Sequence, residues 1–387
     1  MNQFNIFDIQ QKSSQKSVNI YETIGFPRNP FRENRDNINR PFYHEHITNE
    51  LDKISRWMGE IYSGQTLHPL SLIGDIGTGK TRIIGEFVRK IKQLPPDNKI
   101  MVISVLSSDT GYTGVSVGGL LIKGLENTTL SGFKNSQNME VLPLIWAVVN
   151  GEILQNQESL LGRAIFNAQK SQKSEDLASL ISRWLRRSPL TPKQMREAGF
   201  TRKIDWEGEL IREFSELIRI ARQSGVIQTV YIFIDQLEEL FGESFSELRR
   251  ARFLTDLRAM IDEILEYKSP IGLLLAWSPQ FATKKIMNVE NQLAMAYGAL
   301  YSRLQHNIVR IPLLRDNDLI PFAQTFIDAL KEEEGFNPKI QPNTKDVVNE
   351  AIHGLKNGKI NASNIPRDFL GSLSQIIEKK AQASLKA

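Results

Sequence analysis

The sequence has no cysteine among its 387 residues. Disulfide bonds, thiolate metal sites and cysteine nucleophiles are therefore excluded, and any catalysis must use other side chains. A chain without cysteine suits a reducing compartment, so we expect a cytoplasmic location.

Long apolar runs and a secretory leader are also absent. The longest apolar stretches, residues 141–149 and 271–277, are too short to cross a bilayer. Residues 1–5 lack the basic-then-apolar layout of a signal peptide. We therefore expect no membrane association. A charged fraction of 24% is ordinary for a globular protein, and the length predicts two or three domains.

The clearest positive feature is the segment GDIGTGKT at residues 74–81, which fits the phosphate-binding pattern G-x-x-x-x-G-K-[ST]. Residues 69–73 predict a buried strand before it, and residues 82–90 predict a helix after it. In this order, backbone N–H groups of the loop and the helix N-terminus face phosphate oxygens. Lys80 would reach the β- and γ-phosphates, and the Thr81 hydroxyl would hold Mg²⁺. We expect ATP and Mg²⁺ as ligands, with nucleotide contacts from Gly74, Asp75, Ile76, Gly77, Thr78, Gly79, Lys80, Thr81 and Arg82.

Further apolar runs predict strands at residues 99–106, 230–235, 271–278 and 308–313. Segments that favour helices lie between the strands. Strands that alternate with helices indicate an α/β fold with a parallel sheet covered on both faces. We expect an extended arm over residues 1–42, this core over residues 43–316 and a small helical region over residues 317–387.

Asp235 is the last residue of a predicted apolar strand. Ligands of parallel sheets bind at the carboxyl ends of the strands, so we expect Asp235 to hold Mg²⁺ together with Thr81. The next residue is Gln236, which can orient a water molecule but is a poor base. Glu238 or Glu239 could be the general base if the chain turns back toward the γ-phosphate. Glu239 is the weaker candidate, because an acid at a helix start is also favoured by the helix dipole. Slow hydrolysis is one expected consequence.

The stretch between the second and third predicted strands is basic. Between Arg163 and Lys203 there are ten Lys or Arg residues and three acids. We expect a helical basic insertion at about residues 130–225, which is either a solvated face or a surface that contacts nucleic-acid phosphates. The candidate nucleic-acid contacts are Arg183, Arg186, Arg187 and Lys193.

Taken in order, these motifs resemble the AAA+ P-loop ATPases, closest to the origin-recognition and initiator-like clade, over about residues 29–373. Residues 74–81 are similar to the Walker A motif of that family, and residues 232–235 to its Walker B motif. Asn29-Pro30-Phe31 with residues 40–46 resembles the segment that packs on adenine, which makes Tyr43 a nucleotide contact. The resemblance also implies that residues 317–387 form an all-helical lid.

The same resemblance assigns three further residues. Ser278 stands where the family has its polar sensor-1 residue. Ser302-Arg303-Leu304 resembles the stretch that carries the arginine finger, although a surface salt bridge is the alternative role of Arg303. Residues 364–369 resemble the sensor-2 motif, with Arg367 facing the γ-phosphate. A finger that completes a neighbour's site implies a homo-oligomer, either a ring or a filament.

Residues 235–239 read DQLEE and differ from the Asp-Glu pair of many such ATPases, resembling instead the STAND signalling ATPases. We expect no winged-helix domain after the lid, which makes the chain more similar to short regulators of transposition or helicase loading. Two functions stay open. One is an oligomeric ATPase that acts on or with DNA in transposition, replication loading, or mobile-element or defence regulation. The other is a STAND-like switch with a protein partner, for example in phage defence.

Overall fold

The computed structural model describes residues 21, 26–31, 41–106, 116–126, 138, 140–152, 154, 159–242, 245–279, 288–334, 346, 349–350, 352–354 and 365–386. The described residues up to His46 and from Leu313 onward form one compact unit, and those from Ile47 to Pro312 form a second. The arm, core and lid boundaries drawn from the sequence stay predictions. Most of the arm and residues 130–137 of the basic insertion lie outside the described residues.

One parallel sheet forms the centre of the larger unit. Its strands are β1 (Leu70–Ile73), β2 (Ile100–Leu106), β3 (Thr229–Asp235), β4 (Ile271–Trp277) and β5 (Asn307–Arg310), in the order β2-β3-β4-β1-β5. Strands β1, β3 and β4 are buried along their whole length, as strands covered on both faces should be. The predicted parallel α/β sheet is confirmed. The last strand ends earlier than predicted, since Pro312 has no N–H to extend the ladder.

One helix precedes the first strand of the larger unit, and the others lie between its strands. They are α1 (Thr48–Tyr62), α2 (Lys80–Lys92), α3 (Val117–Glu126), α4 (Pro143–Val149), α5 (Leu160–Lys170), α6 (Ser174–Leu185), α7 (Pro192–Glu197), α8 (Glu207–Gln223), α9 (Glu247–Glu266), α10 (Val289–Ala296) and α11 (Gly298–Leu304). Short 3-10 turns occur at Glu45–Ile47, Pro96–Asn98 and Leu237–Phe241. The described residues between β2 and β3 contain the six helices α3 to α8, and the basic insertion drawn from the sequence stays a prediction. No helix in the described ranges is long and apolar enough to span a bilayer.

The smaller unit packs residues from both ends of the chain into one apolar core. Its helices are α12 (Leu319–Glu334) and α13 (Pro366–Lys386), after a 3-10 turn at Asp316–Asp318. Phe26, Phe31 and Tyr43 are buried with apolar side chains of both helices. The Asn29 side-chain amide also donates to the Ser374 hydroxyl at 2.9 Å. The segment before the P-loop is therefore tied to the C-terminal helices.

The strand order decides which residues meet at the carboxyl edge of the sheet. Strand β4 lies between β1 and β3, with Ile73 paired to Trp277 and Ile234 paired to Leu275. The residues that follow β1 and β4, Gly74 and Ser278, are consequently neighbours. Asp235 ends the strand on the other side of β4. Ser278 thus lies between the P-loop and the acid of β3.

Close packing of α3 on β2 generates a stability prediction. A Cβ at Gly124 would lie 2.3 Å from Cγ2 of Ile103, a buried and β-branched side chain with little rotamer freedom. We expect Gly124→Ala to lower the free energy of unfolding by about 1–3 kcal/mol, measured by urea denaturation. Gly85→Ala on α2 is the matched control, because nothing lies within 4 Å of its Cβ position.

In that control, alanine should stabilise the protein by about 0.4–1 kcal/mol, since it restricts the unfolded chain without a clash. If Gly124→Ala is as stable as Gly85→Ala, α3 does not pack on β2 at this distance.

Candidate nucleotide site

The P-loop joins β1 to α2 and depends on glycine at three positions. Gly77 and Gly79 have φ values of 88° and 97°, in the left-handed region that disfavours side chains. At Gly74, a Cβ would lie 2.7 Å from the Thr78 hydroxyl oxygen. That hydroxyl donates to the Asp75 carbonyl at 2.8 Å and closes the loop. The backbone geometry therefore requires the glycines of the motif.

Lys80 begins α2, and its ammonium is held by oxygens of the loop and of β4. It is 7% exposed and donates to the carbonyls of Gly74 and Asp75 at 2.8 and 3.0 Å. It also donates to the Ser278 hydroxyl at 2.8 Å. Ile76 is exposed in the loop, and Arg82 is half-buried in the first turn of α2. The cation thus lies where the loop and the helix N-terminus would meet phosphate.

Thr81 and Asp235 provide an oxygen pair suited to a divalent cation. The Thr81 hydroxyl donates to Asp235 Oδ2 at 2.5 Å, and the Gln236 N–H donates to Asp235 Oδ1 at 2.8 Å. Mg²⁺ prefers oxygen ligands and usually completes its shell with water and phosphate. Among the described residues, no cluster of three or more His, Asp or Glu side chains could hold a metal alone. The pair therefore fits Mg²⁺ that is bound together with a phosphate group.

A backbone reversal at Gln236 brings Glu238 back to the sheet. Gln236 has φ 59°, a left-handed conformation that is uncommon outside glycine, and it starts the 3-10 turn Leu237–Phe241. As a result, the Glu238 carboxylate accepts from the Ser278 N–H and from the Ser278 hydroxyl, both at 3.1 Å. Glu239 on the same turn is half-buried, whereas Glu238 is buried. The chain therefore turns back toward β4, and the role of Glu238 as general base stays a prediction.

Ser278 connects the cation to the carboxylate. It is fully buried and directly follows β4. Its hydroxyl accepts from Lys80 and donates to Glu238, which gives a continuous buried chain of hydrogen bonds. A buried ammonium, the oxygen pair of Thr81 and Asp235, and a second carboxylate therefore lie at one edge of the sheet. These groups can bind a nucleotide phosphate and accept a proton from water.

Arg303 lies on α11 and is fixed within its own chain. Its Nε donates to Asp262 Oδ1 on α9, and its Nη1 donates to the Ala299 carbonyl, both at 2.5 Å. A quarter of the side chain is exposed. The alternative role, a surface salt bridge, is therefore present, and the finger role stays a prediction. Sequence reasoning missed Asp262, because no motif links it to a residue 41 positions later.

Tyr43 and Arg367 both belong to the smaller unit. The Tyr43 ring stacks on His46 with centroids 5.4 Å apart and meets Phe322 edge-on at 5.8 Å. Burial, then the nearby carboxylates of Asp318 and Glu45, raises the Tyr43 pKa to about 12. Arg367 is exposed in the first turn of α13, and Asn364 of its motif lies outside the described residues. The nucleotide contacts expected of Tyr43 and Arg367 stay predictions.

Three of the four predicted nucleic-acid contacts have partners within the chain. Arg183 donates to the Pro189 carbonyl at 2.7 Å. Arg186 pairs with Glu126 at 2.6 Å and also donates to the Glu140 carbonyl. Arg187 pairs with Glu207 at 3.0 Å. Lys193 is exposed on α7. Contact of these four residues with nucleic acid stays a prediction.

Comparison of the sequence with protein-family models gave no match, and comparison with curated proteins gave none either. Among solved structures, the chain is similar to the Aeropyrum pernix ORC2 protein in ADPNP–ADP complexes, with 9% identity and a TM-score of 0.47 over 92% of this chain and 71% of that one. It is also similar to the E. coli MS115-1 HORMA:CdnC:Trip13 complex, with 12% identity and a TM-score of 0.33 over 86% and 88%. Scores this low carry no functional argument, so function is argued from the site.

The intramolecular partners of Arg186 generate a second stability prediction. Arg186→Ala removes an ion pair and a bond to a backbone carbonyl, and should lower the free energy of unfolding by about 1 kcal/mol. Lys193→Ala is the matched control, since its exposed side chain should change stability by less than about 0.5 kcal/mol. Urea denaturation measures both. Equal stability of the two variants would mean that Arg186 does not join α6 to its neighbours.

Proposed function

We propose that this protein is a Mg²⁺-dependent ATPase. The observation that carries the proposal is the bonding of Lys80 and Glu238 to the buried Ser278, with the Thr81–Asp235 pair at the same edge of the sheet. Phosphoryl transfer to water requires a cation for the β- and γ-phosphates, oxygen ligands for Mg²⁺ and a group that orients water. Each of these residue types is present at one edge of the sheet.

The chain's own residues divide these tasks. The P-loop N–H groups and Lys80 bind phosphate oxygens, and Thr81 and Asp235 hold the metal. Mg²⁺, when bound, would neutralise the negative charge that develops on the phosphate oxygens. Glu238 orients the attacking water and accepts its proton, because its carboxylate is fixed beside Ser278. Gln236 contributes its backbone N–H to Asp235 rather than a base.

Two variants and a control test this division. Lys80→Ala should abolish productive ATP binding, measured with a fluorescent ATP analogue, because the cation for the β- and γ-phosphates is lost. Glu238→Gln should keep ATP binding but lower turnover by about 10²-fold or more, since an amide cannot accept the proton. Glu239→Gln on the same 3-10 turn is the matched control and should retain most activity.

The ATPase proposal is wrong if Lys80→Ala binds ATP as tightly as the wild type. If Glu239→Gln loses turnover while Glu238→Gln keeps it, the base is Glu239.

We further infer that the ATPase is an AAA+ protein of the initiator-like type and that it assembles into a ring or filament. The inference rests on the order of the motifs and on Ser278 at the sensor-1 position. Within this proposal, Tyr43 contacts adenine and Arg367 faces the γ-phosphate. Arg303 completes the site of a neighbouring subunit, and in this role its guanidinium exchanges its bonds to Asp262 and Ala299 for the phosphate of that neighbour.

DNA is the target that we propose first, with the cytoplasm as the place of action. Support comes from Lys193 and Lys203, which stay exposed within the basic segment between Arg163 and Lys203. The STAND-like switch with a protein partner remains the second candidate, because residues 235–239 carry Gln236 in place of an acid. Stimulation of the ATPase by double- or single-stranded DNA favours the first, and a DNA-indifferent rate favours the second.

If two subunits share each ATP site, a mixture of two inactive variants should be active. Arg303→Ala should keep ATP binding and lose up to about 10³-fold in turnover. Mixed with Lys80→Ala subunits, it should regain part of the activity, because one subunit offers an intact pocket and the other an intact finger. Arg258→Ala is the control, since Arg258 also approaches Asp262, at 3.6 Å, but should not be a finger. Co-assembly without any recovery of activity would refute a shared site.

A further inference from the structure

Trp206, just before α8, is unusually exposed for a tryptophan. It leaves 61% of its surface accessible, whereas Trp184 and Trp277 leave 2% and 1%. Its six-membered ring lies against Gly208, where a Cβ would be 2.0 Å from Cζ3 of the indole. The absence of a side chain at Gly208 lets the ring rest on the helix backbone. The indole is therefore supported on one side and open to solvent on the other.

The loop that carries Trp206 comprises residues 201–206, and contacts with buried residues fix its backbone. Trp184 and Phe200 stack with ring centroids 4.1 Å apart and planes 9° apart, and the Trp184 Nε1–H donates to the Arg202 carbonyl at 3.0 Å. Ile204 is buried, and the Asp205 N–H donates to Glu209 at 3.2 Å. These contacts fix the backbone and leave the side chains of Arg202, Lys203 and Trp206 exposed.

Charges of both signs lie close to Trp206 in the sequence. Arg202 and Lys203 are the cations, and Asp205, Glu207 and Glu209 are the acids. Lys203 is exposed, and Arg202 is more than half exposed although it pairs with Glu209 at 2.8 Å. Asp205, the residue before Trp206, is exposed, and its negative charge would weaken the binding of an anion at this place. Glu207, on the other side, is engaged by Arg187 and by the Gly118 N–H.

We propose that Trp206, Lys203 and Arg202 form a binding site for single-stranded nucleic acid. A base stacks on the open face of the indole, and the two cations bind the adjoining phosphates. Tryptophan and arginine are also common in protein interfaces, but lysine is depleted in their cores, so Lys203 is the residue that favours nucleic acid over a protein partner. The site is separate from the four residues named above for nucleic acid. It deepens the DNA association in the proposed function and does not require ATP hydrolysis.

Fluorescence anisotropy of the full-length protein with a labelled oligothymidylate of about 16 nucleotides tests the site. At low salt, with and without ATP, Trp206→Ala should weaken binding by at least about fivefold. Trp206→Phe should retain most of the affinity, because phenylalanine still stacks. Lys203→Gln should make the slope of log affinity against log salt shallower by about 0.7. Tyr267→Ala, which alters another exposed aromatic residue after α9, is the matched control and should bind like the wild type.

Equal affinity of Trp206→Ala and the wild type would overturn the proposal, as would no binding of the oligothymidylate at low salt. If Trp206→Ala lowers the molar mass in light scattering and leaves oligothymidylate binding intact, Trp206 belongs to a protein interface and the proposal is wrong. ATP turnover without oligonucleotide should be unchanged in the Trp206 and Lys203 variants. A failure of this site is thereby distinguishable from a failure of the ATPase proposal.

Discussion

The hydroxyl of Ser278 is the point on which the arrangement of the candidate site depends. A buried ammonium is costly unless oxygens replace its water, and Lys80 obtains them from two loop carbonyls and this hydroxyl. The same hydroxyl orients Glu238, whose carboxylate also needs donors because it is buried. The Lys80 ammonium and the Glu238 carboxylate therefore both form a hydrogen bond with the Ser278 hydroxyl. This hydroxyl lies between them because β4 separates β1 from β3.

One of the four described non-glycine residues with a positive φ lies where this network forms. Gln236 adopts a left-handed conformation that costs about 1–2 kcal/mol for a residue with a Cβ. The cost is offset by the bonds that the reversal permits, since Glu238 then reaches both donors of Ser278. Strain of this kind persists where the surrounding structure fixes it, and such places are often functional. The P-loop avoids the same cost by using glycine at its two left-handed positions.

Positive charge along the chain is a poor guide to a binding surface here. Arg186, Arg187 and Arg202 each pair with an acid, respectively Glu126, Glu207 and Glu209. Several of the positive residues that suggested a nucleic-acid surface therefore form ion pairs within the chain. The feature that stands out after folding is an indole resting on a glycine beside the exposed Lys203. Neither composition nor helical periodicity indicates it.

The sequence by itself determined the local elements: the strands, the P-loop, the helix that follows it and Asp235 at a strand end. Apolar run length, glycine spacing and helical periodicity are properties of neighbouring residues, so they can be read without a fold. Only the tertiary structure decided that β4 lies between β1 and β3, that Glu238 rather than Glu239 contacts Ser278, and that Arg303 pairs with Asp262. Strand order and ion-pair partners arise between residues far apart in the chain, and no local pattern encodes them.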